Sequence, residues 1–308
     1  MKPLVVGTRG SALALAQAEM TERVLRDKFP GREIVRKIVT TTGDRRTDVP
    51  LSQVAKSEGV LDKGVFTKEL EIALENEEID LAVHSMKDVP TVLADHFEIA
   101  GALERAPMAD VLVSKKADCL DALPEGAVIA TSSVRRQRQL QWLRPDIKLV
   151  DIRGNVPTRL QKLRDNEQLD AIMLAEAGLV RLGYDLSEQL EGGLRALIMP
   201  TEEFLPAAGQ GIVGFEIRKG DAQTQACVDA INHHESMLLL RAEREFLRLL
   251  DAGCHTPVGV KSYIEGKSLY MMGRVFEEGT DDAPAEASAK GKALKPERVA
   301  KKLFKDLS

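Results

Sequence analysis

Two side chains with chemical capability sit in short segments that expose them. The first is Asp88, in His84-Ser85-Met86-Lys87-Asp88-Val89-Pro90, directly after the apolar run Leu81-Ala82-Val83. Residues at the carboxyl end of a strand in an open α/β sheet face the ligand crevice. Val89 precedes a proline and is driven toward extended geometry, so the segment reads as a loop. Asp88 beside Lys87 also fits a solvated surface pair of little energetic weight. Among cations in a cleft, the same carboxylate stays ionised and can hold a developing positive charge. The second is Cys254, in Asp251-Ala252-Gly253-Cys254-His255-Thr256-Pro257. Glycine before it and proline soon after place the thiol on an accessible turn, although a buried, inert cysteine is the commoner fate. Adjacent residues rarely point at each other, so His255 does not make a Cys–His nucleophile. His233, His234, Cys254 and His255 lack the ligand spacing of a zinc site.

Three strand-to-helix junctions share one design. Leu4-Val5-Val6-Gly7 runs into Thr8-Arg9-Gly10-Ser11; Ala127–Ala130 runs into Thr131-Ser132-Ser133-Val134-Arg135-Arg136; and Lys148–Ile152 runs into Arg153-Gly154-Asn155, with Thr158-Arg159 one turn on. Hydroxyl or amide residues fall where an N-cap is wanted. Arginine is the anomaly, because the positive end of a helix dipole favours acids there unless an anion arrives to meet both the guanidinium and the free N–H groups. One such junction is well explained by a local carboxylate partner; three together describe a cleft for a polyanion. The arginine fork suits carboxylate or phosphate, and the absence of a Walker glycine loop shifts weight to carboxylates. Gly209-Gln210-Gly211-Ile212-Val213-Gly214 satisfies G-x-G-x-x-G, but it precedes a strand-like run and not a helix, so dinucleotide binding is disfavoured.

The elements behind these residues alternate. Short β-branched runs are followed by amphipathic segments from Leu4 to Gly183, which implies α/β domains with largely parallel sheets. Residues 82–100 close one set, a polar stretch near Glu104–Asp110 opens another that runs to about Met199, and the strand-like Ile212–Ile217 rejoins the first domain by a crossover. Asn232 with Glu235 reads as a capping box for a helix over Ser236–Leu250. Residues 255–264 and 267–276 read as strands, 277–297 as a polar surface loop, and Val299–Leu307 as a closing helix. The expected architecture is α/β with three domains: two α/β lobes with crossover strands (1–103 with 204–226, and 104–203) and a small α+β domain (227–308). With 308 residues, 44% apolar and 30% charged, the chain is an ordinary globular protein. A net charge of −5 argues against nucleic acid. Three widely spaced cysteines fit no disulfide framework. No apolar run reaches the roughly 18 residues of a membrane span, and Met1–Gly10 shows no signal-peptide pattern, so a cytoplasmic protein is expected.

Taken together, the segments GTRGSALALAQ, KGVFTKELEIAL, DLAVHSMKDVPT, ATSSVRRQRQL, DIRGNVPTRLQKL, LAEAGLVRLG, LPAAGQGIVGFEIR, NHHES and AGCHTPVG resemble the porphobilinogen deaminase family over nearly the whole chain. The resemblance implies a fold of two lobes like periplasmic binding proteins plus a third domain, with the active-site cleft between the first two. It implies that Cys254 carries a dipyrromethane cofactor through a thioether, on which four porphobilinogen units are added before water releases 1-hydroxymethylbilane. It implies that Asp88 is the principal catalytic acid, assisting loss of ammonia and stabilising the azafulvene cation. The cofactor would be bound by Cys254, Ser85, Lys87, Asp88, Thr131, Ser133, Arg135, Arg136, Gly154, Arg159 and Gln210. The substrate would be bound by Arg9, Ser11, Phe66, Arg153, Arg159 and Arg181, with Phe66 stacking on a pyrrole. The family implies a monomer that needs no metal. Pro157 departs from the family's usual residue in the RGN-V-x-TR segment, but proline is tolerated at a helix start, so Arg159 should still be presented. The alternative from another class is a non-catalytic carboxylate-binding module of the solute-binding-protein kind. It uses the arginine junctions but has no use for Asp88 or the Gly-Cys turn.

Overall fold

A computed structural model describes residues 2–45, 65–251, 256–277, 279–280 and 282–307. By internal contacts the chain forms two compact units, Met1–Ala106 with Ile212–Leu240, and Pro107–Gly211 with Arg241–Ser308.

The first unit holds a five-stranded sheet. Its strands are β1 (Leu4–Thr8), β2 (Ile34–Ile38), β3 (Leu81–Ser85), β4 (Phe97–Ala102) and, after a long excursion of the chain, the strand Val213–Arg218, in the order β2-β1-β3-(213–218)-β4. β1 runs parallel to both β2 and β3, whereas the returning strand is antiparallel to β3 and β4. β3 is therefore central, and both of its faces are covered. Leu81 and Val83 pack with Leu4, Val6, Leu25, Phe215 and Ile217 on one face, while Ala82 packs with Leu70, Leu74, Ile79 and Phe97 on the other. A strand buried on both faces reads as the continuous apolar run seen in the sequence.

The second unit contains two sheets. One is built from β5 (Asp110–Ser114), β6 (Val128–Ala130), β7 (Lys148–Val150), β8 (Ala171–Ala175) and β9 (Arg195–Ile198), in the order β7-β6-β8-β5-β9. β6, β7 and β8 are mutually parallel and β5 is antiparallel to β8. Both large sheets are thus mixed, and not largely parallel as the alternation suggested, because strands that enter through the crossovers run against their neighbours. With β10 now assigned to Val213–Arg218, the other sheet is an antiparallel meander of β11 (Val258–Glu265), β12 (Ser268–Val275) and β13 (Ala285–Lys292), covered by the helix Pro296–Leu307.

β13 lies in the segment expected to be a surface loop. Its alternation of Ala285, Ala287, Ala289 and Gly291 with polar residues is a period-two strand whose inner face is small. The reason is close helix packing: a Cβ on Gly291 would lie 2.8 Å from Val299 Cγ2. The capping box is also corrected. The helix spans His234–Leu249; Asn232 Oδ1 accepts instead from Ala102 N at 3.0 Å, and His233 Nδ1 accepts from Ser236 N at 3.3 Å.

Candidate active site

In the first unit, the ends of β1 and β3 converge on one pocket lined by Arg9, Ser11, Leu13, Ala14, Gln17, Phe66, Thr67, Val83, His84, Ser85, Asp88 and Val89. Ser11 caps the helix Ala12–Lys28, accepting from Ala14 N at 3.3 Å. That bond fixes the turn carrying Arg9, whose guanidinium lies 4.2 Å over the ring of Phe66. A cation over an aromatic face is held there by the ring's electrostatic attraction. Gln17, from the second turn of the same helix, donates to Ser85 Oγ at 2.8 Å.

Asp88 closes a single 3-10 turn, Met86–Asp88, at the end of β3. The turn is anchored by its apolar members: Met86 and Val89 are 2% and 1% exposed and pack with Ala102, Ile212 and Leu240, and Met86 N donates to Ile212 O at 3.0 Å. Burying those two side chains leaves Lys87 and Asp88 half-exposed between them. The Asp88 carboxylate makes no hydrogen bond or ion pair among the described residues, so it faces the pocket with its acceptor capacity intact.

Gly214 explains the third glycine of the G-x-G-x-x-G segment. A Cβ there would lie 2.2 Å from Met86 Sδ, so glycine is required by the Asp88 turn and not by a nucleotide. Gly214→Ala is expected to destabilise the protein by about 1–3 kcal/mol through overpacking and to lower turnover several-fold, measured by urea unfolding and initial rates; unchanged rates would separate the glycine from the turn.

In the second unit, the remaining site residues other than Gln210 follow three adjacent parallel strands, β7, β6 and β8, whose carboxyl ends lie on one side of the sheet. Thr131 and Ser133 follow β6. Ser133 takes the N-cap position of the helix Val134–Leu143, but its hydroxyl makes no capping bond. Arg153, Gly154 and Asn155 follow β7. Asn155 caps the helix Val156–Asp165, accepting from Thr158 N at 2.9 Å, and Pro157 is accommodated in its first turn. Gly154 has φ +115°, and a Cβ there would meet Thr158. Arg159 Nε donates to Gly154 O at 2.7 Å, folding the side chain back over the junction. Ser132 ties the two junctions together through Ile152: it accepts from Ile152 N at 3.1 Å and donates to Ile152 O at 3.0 Å.

At the junction after β6 the arginines have a carboxylate partner that sequence reading missed. Arg135 donates to Asp110 Oδ2 at 2.6 Å and Arg136 to Asp110 Oδ1 at 2.7 Å, with both guanidiniums and the carboxylate buried. Gln210 Nε2 donates to the same carboxylate at 3.1 Å. Burial alone would raise the Asp110 pKa, but the two guanidiniums outweigh it and hold the carboxyl well below its usual range. Asp110 was invisible because its partners lie 25, 26 and 100 residues away in sequence; its only local signal was an acid at the start of an apolar run.

Arg181 ends the helix Glu176–Arg181 that follows β8. It donates to Gly211 O at 2.6 Å, and among the described residues its buried Nε has no partner and no carboxylate pairs with it. Burial pulls its guanidinium down to about 10, so it is still a cation at neutral pH. Cys254 lies outside the described residues.

Residues 4–226 match the family described as porphobilinogen deaminase, dipyromethane cofactor binding domain, and residues 237–308 match its C-terminal domain. The chain belongs to the porphobilinogen deaminase family. A porphobilinogen deaminase from Alkaliphilus metalliredigens (strain QYMF) is 43% identical over 277 residues, covering 89% of this chain and 83% of the relative. One from Desulforudis audaxviator (strain MP104C) is 43% identical over 303 residues, covering 98% and 93%. Among solved structures, the periplasmic aliphatic sulphonate binding protein SsuA from Escherichia coli is 13% identical with a TM-score of 0.45, covering 82% of this chain and 71% of its own. The methionine binding protein MetQ is 16% identical with a TM-score of 0.46, covering 77% and 92%. Within the porphobilinogen deaminase frame, most of the sequence-based site residues fall into two groups, while Lys87, half-exposed beside Asp88, does not line the pocket of the first unit. Arg9, Ser11, Phe66, Ser85 and Asp88 share the pocket of the first unit. Thr131, Ser133, Arg153, Gly154, Arg159 and Arg181 share the strand edge of the second, with Arg135, Arg136 and Gln210 drawn inward to Asp110.

Proposed function

We propose that this chain is a hydroxymethylbilane synthase, a transferase of tetrapyrrole (porphyrin, haem) biosynthesis. It condenses four porphobilinogen molecules head to tail with loss of ammonia, on a dipyrromethane cofactor joined by a thioether to Cys254, and releases 1-hydroxymethylbilane by hydrolysis. The observation that carries the reading is the half-buried carboxylate of Asp88, without a partner among the described residues, in one pocket with Arg9, Ser11 and Ser85, in a chain of this family.

The residues fit an acidic pyrrole ligand, since the buried Nε of half-buried Arg181, without a partner among the described residues, wants an anion and the Ser133 hydroxyl is left without a capping bond. When bound, the dipyrromethane supplies the free pyrrole α-carbon as nucleophile. Ser85, Lys87, Asp88, Thr131, Ser133, Arg135, Arg136, Gly154, Arg159 and Gln210 are assigned to holding it. Arg9, Ser11, Arg153, Arg159 and Arg181 are assigned to the acetate and propionate groups of porphobilinogen, and Phe66, with Arg9 already over its ring, to stacking beside a pyrrole. Asp88 assists departure of ammonia and stabilises the azafulvene cation through the proximity of its negative charge. Gln17 and Ser85 hold the wall of that pocket in register.

The three separate sheets support three domains, 1–103 with 204–226, 104–203 and 227–308. A net charge of −5 supports a protein that works on a small molecule without nucleic acid, and no helix among the described residues is long and apolar enough to cross a membrane. We place it in the cytoplasm as a monomer. The non-catalytic binding module is not favoured, because the family match extends through the C-terminal domain.

Incubation with porphobilinogen tests the activity: ammonia released in an amount equal to the porphobilinogen consumed, with 1-hydroxymethylbilane as product, supports it, and no ammonia release by cofactor-loaded protein refutes it. Arg181→Ala is expected to raise KM for porphobilinogen roughly 10–100-fold, since a hydrogen bond to a charged group contributes about 1.5–3 kcal/mol. Steady-state kinetics with Arg181→Lys alongside checks this, the lysine giving only partial recovery because it lacks the planar fork.

A further inference from the structure

His84, which lines the Asp88 pocket, is buried together with Glu216 behind it. His84 Nε2 and Glu216 Oε2 lie 2.7 Å apart, with side chains 4% and 0% exposed. Both project from the sheet face shared with Ala82, where Glu216 stands opposite Ala82 and Gly214 opposite His84. That face is otherwise packed with Leu70, Leu74 and Phe97. Replacing a buried ionisable pair with well-packed apolar residues is often neutral or stabilising, so stability alone does not account for it. The pair is also imperfect, because Glu216 Oε1 has no hydrogen-bond partner among the described residues. Glu71, on the helix Lys68–Glu75, is close enough that its carboxyl is pushed up by burial first and by the charge of Glu216 second. An apolar face thus holds an acid that has one bond only among the described residues, and that bond goes to a pocket-lining imidazole one residue before Ser85 and four before Asp88.

We propose that Glu216 is a positioning residue that acts through His84: by accepting from Nε2–H it fixes the imidazole in the pocket wall and the end of β3 from which the Asp88 turn departs. The Met86 N to Ile212 O bond holds the turn's backbone; the dyad holds the side chain two residues before the turn begins. This rests on the reading of Asp88 as the catalytic group.

The test uses cofactor-loaded protein, checked by intact mass, and porphobilinogen turnover. Glu216→Leu is expected to lower kcat roughly tenfold or more, as misplacement near the reacting atoms does, with KM changed less than about twofold. Glu216→Gln, whose amide oxygen accepts the same bond, recovers kcat to within about threefold. Nitrogen-15 spectra of the His84 ring should show Nε2–H in wild type and Glu216→Gln and a mixture of tautomers in Glu216→Leu. Wild-type kcat in Glu216→Leu, or an unchanged His84 spectrum, overturns the proposal. If Glu216→Leu does not fold, His84→Phe/Glu216→Leu removes both partners and leaves neither unsatisfied. Its kcat should equal that of His84→Phe alone, and a further drop means Glu216 does not act through His84. Wild-type protein without turnover refutes the function instead, and the His84 spectra still decide the dyad.

Discussion

Asp88→Asn is expected to lower kcat for porphobilinogen about 10²–10⁴-fold, the range for removal of a positioned acid–base group, while leaving the unfolding midpoint within error of wild type. The two halves of this expectation come from different atoms. The turn is held by Met86 and Val89 in the core and by the Met86 N to Ile212 O bond, none of which involves the Asp88 carboxylate. That carboxylate has no partner among the described residues, so its replacement by an isosteric amide leaves no charge stranded. In the proposed role, what is lost is the negative charge beside the carbon that becomes cationic when ammonia departs. Rates with matched unfolding curves check it; a variant with wild-type kcat would remove Asp88 from the chemistry.

Asp110→Asn should behave in the opposite way, with a stability loss of about 3–5 kcal/mol, the usual result of breaking a buried pair from one side. Arg135 and Arg136 are 7% and 5% exposed, and the substitution leaves both guanidiniums buried beside a neutral amide. The native carboxyl is held below its unfolded value, so its contribution is present above the unfolded carboxylate range near pH ~4. It is lost as pH falls toward the depressed native value. Wild-type stability should therefore decline on acidification more than that of Asp110→Asn, and urea unfolding at several pH values reads this directly. Equal slopes would show that Asp110 does not bear the pair.

The parts of this fold that were legible in the sequence are the local ones. Ser11 and Asn155 cap the helices they were expected to cap, because a cap needs only residues three apart. The return of Ile212–Ile217 to the first sheet was legible because a strand-like run followed a glycine-rich turn. What failed depended on distant partners. Asn232 had the right neighbours for a capping box but bonds Ala102, far away in sequence. β13 was mistaken for a loop because its buried face is alanine and glycine, sized to a helix that follows it. Asp110, Gln17 and Glu216, which hold the site's side chains in place, lie on strands or helices apart from their partners, and nothing local marks an acid as buried.

The most direct test of the central claim is the intact mass of the purified protein beside that of Cys254→Ala. An excess in wild type equal to two linked pyrroles, absent from the variant, is the expected result and would place a covalent dipyrromethane on that thiol. A wild-type mass that stays at the value for the unmodified chain, even after incubation with porphobilinogen, would contradict the assignment.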